Sequence, residues 1–133
     1  MASVIFINCK RFPFVEEIMS YLKQFETRNR NTLGRFLGER IYLAETGKGS
    51  APLVRCSAVI DEIIVVYTRE EWERYLEQTW VPVGSSYDWK PETKKKVLYS
   101  LSDVQPVKPF RLPPSSRRHG RVWAEYEEGS ELK

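Results

Sequence analysis

From Leu53 to Tyr67 the sequence is a long β-rich stretch, too long for one straight strand and interrupted by the Asp61-Glu62 pair, so a bend or bulge is predicted there. A shorter β-branched and aromatic run, Val4 to Asn8, reads as a buried strand. Pro13 then suits the first turn of a helix. Val15, Ile18, Met19 and Leu22 fall at helical spacing on one face, with Glu16, Glu17 and Lys23 on the other. Immediately afterwards the period changes to two, with Phe25, Thr27 and Asn29 alternating with Glu26, Arg28 and Arg30, the pattern of a half-exposed strand.

Gly34 and Gly38 punctuate a loop that leads to a strand from Glu39 to Glu45. Thr46 to Ser50 reads as a flexible basic turn carrying Lys48, because the Walker spacing and its following helix are absent. Thr68 and Glu71 have capping-box spacing ahead of a short second helix with Trp72, Tyr75 and Leu76 on its apolar stripe. Val81 to Pro91 is a loop rich in Pro, Gly and Ser. Strands are predicted at Val97 to Leu101, Val104 to Arg111 and Arg121 to Tyr126, with the prolines pushing the second towards a sheet edge. Two helices for about seven strands point to an α+β, mainly β fold: a small barrel with helices packed outside, forming one domain over residues 1–128 and a tail over 129–133.

Charge is unevenly spread. Residues 61–93 carry three basic and eight acidic side chains, whereas residues 94–121 carry eight basic and one acidic, within a chain of net charge +3. The basic block is either a surface for phosphate or a solvated face. Cys9 and Cys56 sit inside apolar runs and read as buried thiols, and with His119 as the single histidine no metal site is expected. No apolar stretch approaches the ~20 residues that span a bilayer, and no leader pattern opens the chain, so no membrane association and a reduced, cytoplasmic setting are expected.

The most specific segment is Lys23-Gln24-Phe25-Glu26-Thr27-Arg28. It resembles the Gly-x-Lys-x-x-Glu-x-Arg signature of ASCH domains, which are similar in fold to the PUA and EVE domains that bind RNA or modified bases. The order of the surrounding pieces resembles that family too: a strand and helix ahead of the motif, Leu37 to Leu43 after it, the long strand from Val54 to Val66, and a terminal strand from Arg118 to Trp123. One departure is plain: Tyr21 stands where the family has glycine. The resemblance implies a PUA-like barrel of five or six strands with a cleft beside the first helix, lined by the motif.

The residues themselves suit such a cleft. On an extended strand Glu26 and Arg28 project to one side, and Lys23 at the helix exit can reach the same mouth. Arg28 offers a rigid fork for phosphate or a base edge, Lys23 a mobile point charge, and Glu26 an acceptor for an exocyclic amine. The competing interpretation is an ion-pair ladder on a solvent face. Around this trio, Arg30, Lys48, Trp89, Lys94, Arg118 and Arg121 are the further candidate ligand contacts. Among the loop aromatics Trp89 is the expected exposed ring, and Trp72 and Trp80 are expected to pack.

Two functions follow from the resemblance. One is a receptor for RNA or a modified nucleotide, without cofactor. The other is a metal-independent hydrolase, a ribonuclease or an amidohydrolase acting on N4-acylated cytidine, with Lys23 and Glu26 as the candidate catalytic residues. Against the second, Glu26 occupies the position of the expected threonine nucleophile, Thr27 would point to the opposite face of the strand, and Glu73 or Glu77 would have to serve as a base.

Overall fold

The computed structural model describes residues 1–128; the expected tail, 129–133, lies outside the described residues. Seven strands there form one mixed sheet: β1 (Ala2–Asn8), β2 (Phe25–Arg28), β3 (Arg40–Thr46), β4 (Leu53–Val66), β5 (Lys96–Arg111), β6 (Arg117–His119) and β7 (Trp123–Tyr126), in the order β2-β5-β4-β3-β1-β7-β6. Only the β1–β3 pair is parallel.

The sheet is open, which corrects the expectation of a barrel. Its two edges are very short strands, four residues in β2 and three in β6. Each pairs on one side only, β2 with β5 and β6 with β7, so no backbone ladder joins the two ends. The long β4–β5 ribbon supplies the curvature, through register shifts between Val54 and Cys56, Ser57 and Val59, and Ile60 and Glu62. The last of these lies at the acidic pair where the sequence predicted a bend.

The two strands expected at Val97–Leu101 and Val104–Arg111 are one continuous strand, β5. β2 accompanies it only from Val97 to Ser100, so Pro106 and Pro109 lie where β5 pairs with β4 alone and a missing N–H breaks no second ladder. Arg118 to Trp123 is a hairpin rather than one strand: β6 turns back through Gly120, at φ 61°, into β7.

Helix α1 (Phe14–Met19) is shorter than the apolar spacing suggested. It stops at Ser20, whose hydroxyl bonds the Glu16 carbonyl, and Leu22 is 45% exposed instead of completing the stripe. The predicted second helix is two pieces, α2 (Arg69–Glu73) and α3 (Leu76–Thr79). Its cap forms as predicted: Thr68 Oγ1 accepts from Glu71 N at 3.1 Å, and the Glu71 carboxylate accepts from Tyr67 N at 3.1 Å. The main core gathers Ile5, Ile7, Val15, Ile18, Leu43 and Ile60 between α1 and the sheet, while Trp72 anchors α2 against Phe25, Val66 and Leu98. Cys9 and Cys56 are buried as expected, and burial pushes the Cys56 thiol up to about 11. No helix among the described residues is long and apolar enough to cross a membrane.

Candidate functional site

The chain leaves α1 through Tyr21, whose φ of 62° is left-handed. This turn lets the Glu17 carbonyl accept from both Leu22 N (3.0 Å) and Lys23 N (3.1 Å), and so delivers Lys23 to the base of β2. Leu101 N donates to Gln24 O at 3.0 Å, which fixes the alternation along β2: Gln24 turns its carbonyl towards β5 while its N–H donates to Gln78 O at 2.7 Å, and Glu26 and Arg28 turn their backbone towards β5. Phe25 and Thr27 therefore turn theirs to the free edge. There Thr27 N donates to Glu26 Oε1 at 2.9 Å.

Facing that edge is the end of β1. β7 pairs with β1 as far as Ile5, and Phe6 N still finds Val122 O at 2.9 Å. The Phe6 carbonyl instead accepts from Arg28 Nη2 at 2.8 Å, and the same nitrogen donates to Glu26 Oε2 at 3.1 Å. Between β1 and β2 lies a cavity of about 220 Å³. Lys23, Glu26, Thr27 and Arg28 line one side, Phe6, Ile7 and Asn8 the other, and Phe14, Thr46, Tyr87 and Arg121 complete the wall.

The ionic trio thus converges on a hollow. Lys23 is 2% exposed, donates to Thr79 O at 2.7 Å and stands 4.6 Å from the centre of the Phe14 ring. Burial lowers its proton affinity below the ordinary lysine value, with Arg28 acting the same way against the pull of Glu26 and Glu17. Glu26 is 7% exposed, and each carboxylate oxygen already accepts one bond, leaving one lone pair on each. Aromatic walls come from Phe6, Phe14 and Tyr87; Tyr87 meets Phe14 edge-on at 5.1 Å. The site offers fixed acceptors, a held ammonium and a forked guanidinium, and rings to pack on.

Tyr87 is positioned from outside. Lys96, within the basic block of residues 94–121, is 5% exposed; its ammonium donates to Tyr87 O at 3.0 Å and lies 5.4 Å from the Trp72 ring. Asp88 ties the same loop to the core by accepting from Trp72 Nε1, Gly84 N and Trp89 N, each at 2.8 Å. Burial alone would raise the Asp88 carboxyl, but these donors outweigh it and hold it below the usual carboxylate range.

The remaining candidates are dispersed. Arg121 lines the cavity and also a neighbouring groove of about 330 Å³ that includes Arg118 and shares Phe6, Asn8 and Thr46. Arg30 and Lys94 line a separate depression of about 550 Å³ with Lys90 and Lys95. Lys48 lies in a further hollow beside Arg111, its ammonium 4.0 Å from Glu45. Trp89 is half-buried against the Trp72 cluster, contrary to the expectation of an exposed ring, whereas Trp80, expected to pack, is 41% exposed. The capping of Trp89 N by Asp88 explains the first, and a left-handed Trp80 ending α3 at φ 55° the second. Neither Glu73 nor Glu77 lines the cavity; Glu77 borders a shallow hollow with Trp80 and Val83. Thr27 does line it, along the free strand edge. Asn8, Phe14 and Thr46 escaped sequence reasoning, since they reach the site from α1 and the parallel β1–β3 pair, which local pattern does not join.

Among solved structures, the crystal structure of ASCH from Zymomonas mobilis superposes with a TM-score of 0.68 over 84% of this chain and 73% of that one, at 26% identity. This chain has the fold of the ASCH domain. A variant of the Zymomonas protein with a tyrosine changed to phenylalanine gives 0.67 at 26% identity, over 84% of this chain and 76% of that one. A serine-to-alanine variant gives 0.74 over 96% and 89%, at 22% identity, and shows the fold. No protein-family model and no curated protein matches the sequence. Within the ASCH framework the departure at Tyr21 acquires a cause: the position is left-handed, which glycine adopts freely, and here a tyrosine accepts the strained conformation while its hydroxyl donates to Val104 O at 3.3 Å.

Proposed function

We propose that this domain of ASCH fold binds RNA or a modified nucleotide, with one base held in the hollow between β1 and β2. The observation that carries the reading is the convergence of Lys23, Glu26 and Arg28 on a cavity walled by Phe6, Phe14 and Tyr87. Rings and aliphatic stems take the faces of a base, while the ionic groups meet its polar edge. Arg121 and Arg118, along the adjoining groove, take phosphates of the strand, and Arg30 and Lys94 add positive potential on the other flank.

A second reading, hydrolysis, is favoured by one feature. A lysine whose proton affinity is lowered by burial, beside the Glu26 carboxylate, is equipped to exchange a proton with a bound substrate. Incubating the protein with single-stranded RNA and with N4-acetylcytidine separates the two. The binding reading expects saturable binding with intact strands and no acetate released. Cut strands or free acetate would support the hydrolase, and absence of any binding would overturn both.

A further inference from the structure

We propose that the cavity selects guanine among the four common bases, an inference that rests on the base-binding reading above. The rim of β2 presents acceptors in a row. Glu26 Oε1 and Oε2 each retain a free lone pair after accepting from Thr27 N and Arg28 Nη2. The Thr27 carbonyl lies beside them on the free strand edge, because the alternation set by Leu101 and Gln24 turns it away from β5.

A carboxylate with both oxygens open is matched by two adjacent N–H donors. Guanine presents such a pair at N1–H and N2–H. Adenine and cytosine offer an amino group next to a ring-nitrogen lone pair, and uracil a single N3–H flanked by carbonyls, so each would set an acceptor against an acceptor. The second N2 hydrogen of guanine finds a further acceptor in the Thr27 carbonyl. The guanine O6, adjacent to N1, then falls on the Oε2 side, where Arg28 stands. Both recorded Arg28 bonds leave from Nη2, so Nη1 and Nε keep their hydrogens for it. In a site this enclosed an unpaired polar group is costly, which turns donor–acceptor matching into selectivity.

The test is calorimetric titration of the intact chain with GMP, AMP, CMP, UMP and IMP. GMP is expected to bind about tenfold or more tighter than AMP, CMP and UMP, the discrimination of one good bidentate pair. IMP, which keeps N1–H and O6 but lacks the amino group, should fall between. Glu26→Gln, checked for folding by its melting curve, should bring GMP down to the level of the others, since an amide presents one donor where the carboxylate presented two acceptors. If the nucleotides bind with equal affinity, or AMP or CMP binds tightest, the guanine assignment is overturned while the base-binding reading stands. If none binds, that reading falls and the assignment with it.

Discussion

Arg28 Nη2 sits 2.8 Å from the carbonyl oxygen of Phe6, so a side chain from the sheet's edge strand β2 reaches the end of interior strand β1. In a closed barrel a backbone ladder would occupy that gap. Here a guanidinium bridges it and a cavity fills the rest. Arg28 therefore has a structural share in the fold as well as a place in the site.

Replacing Arg28 by Ala should lower stability by about 2–3 kcal/mol, because it removes a charge-assisted bond to Phe6 O and leaves the mostly buried Glu26 without its cation. Arg28→Lys should recover only part, since the shorter lysine has to carry its ammonium from β2 to Phe6 O and Glu26 at once without the reach of the guanidinium. Urea unfolding of the two variants checks this; an unchanged midpoint for Arg28→Ala would show that the bridge carries no stability.

Burial lowers the proton affinity of Lys23, and the sign of the consequence is fixed by linkage. Below the ordinary value of 10.5 the unfolded chain holds this proton more firmly than the fold does, so stability rises with pH up to that value and the penalty is complete below the lowered folded value. Lys96 acts in the same direction, whereas Cys56, raised from 9.0 to about 11, loses stability as pH rises across that interval. The difference between wild type and Lys23→Met isolates the lysine. The variant's advantage in melting temperature should be larger at about pH 8 than at about pH 10.

Tyr21 offers a clean backbone test. Tyr21→Ala and Tyr21→Gly both lose the ring and its bond to Val104 O, but only alanine keeps the left-handed penalty at φ 62°. The glycine variant should be the more stable of the two by about 1 kcal/mol. Equal stabilities would mean the turn relaxes when the ring is removed.

How much was legible beforehand divides along physical lines. Contacts set by nearby residues were readable: the Thr68 and Glu71 cap, the bend in β4 at the acidic pair, and the shared side of Glu26 and Arg28. Features decided by distant pairing were not. The open sheet depends on where β7 stops along β1, and the wall residues Asn8 and Thr46 come together through a parallel pair. Trp89 is tied in by a loop carboxylate, Asp88, and Trp80 is turned out by its left-handed position at the end of α3. Thr27 was assigned to the opposite face by its side chain, yet it lines the cavity from the free edge of β2.

If Arg121 contacts a phosphate from the groove it shares with Arg118, Arg121→Ala should weaken RNA binding and reduce the slope of log affinity against log salt by about one. Binding at several salt concentrations reads this directly. An unaltered slope would remove Arg121 from the phosphate path.

The central claim is that a base enters the hollow between β1 and β2. An amide chemical-shift titration of the labelled protein with a short single-stranded RNA tests it most directly. The account predicts the largest shifts at Phe6, Asn8, Glu26, Thr27 and Thr46, with Val83 on the separate shallow hollow unmoved. Shifts confined to that separate hollow, or to the lysines around residues 90–95 with Glu26 and Thr27 silent, would contradict it.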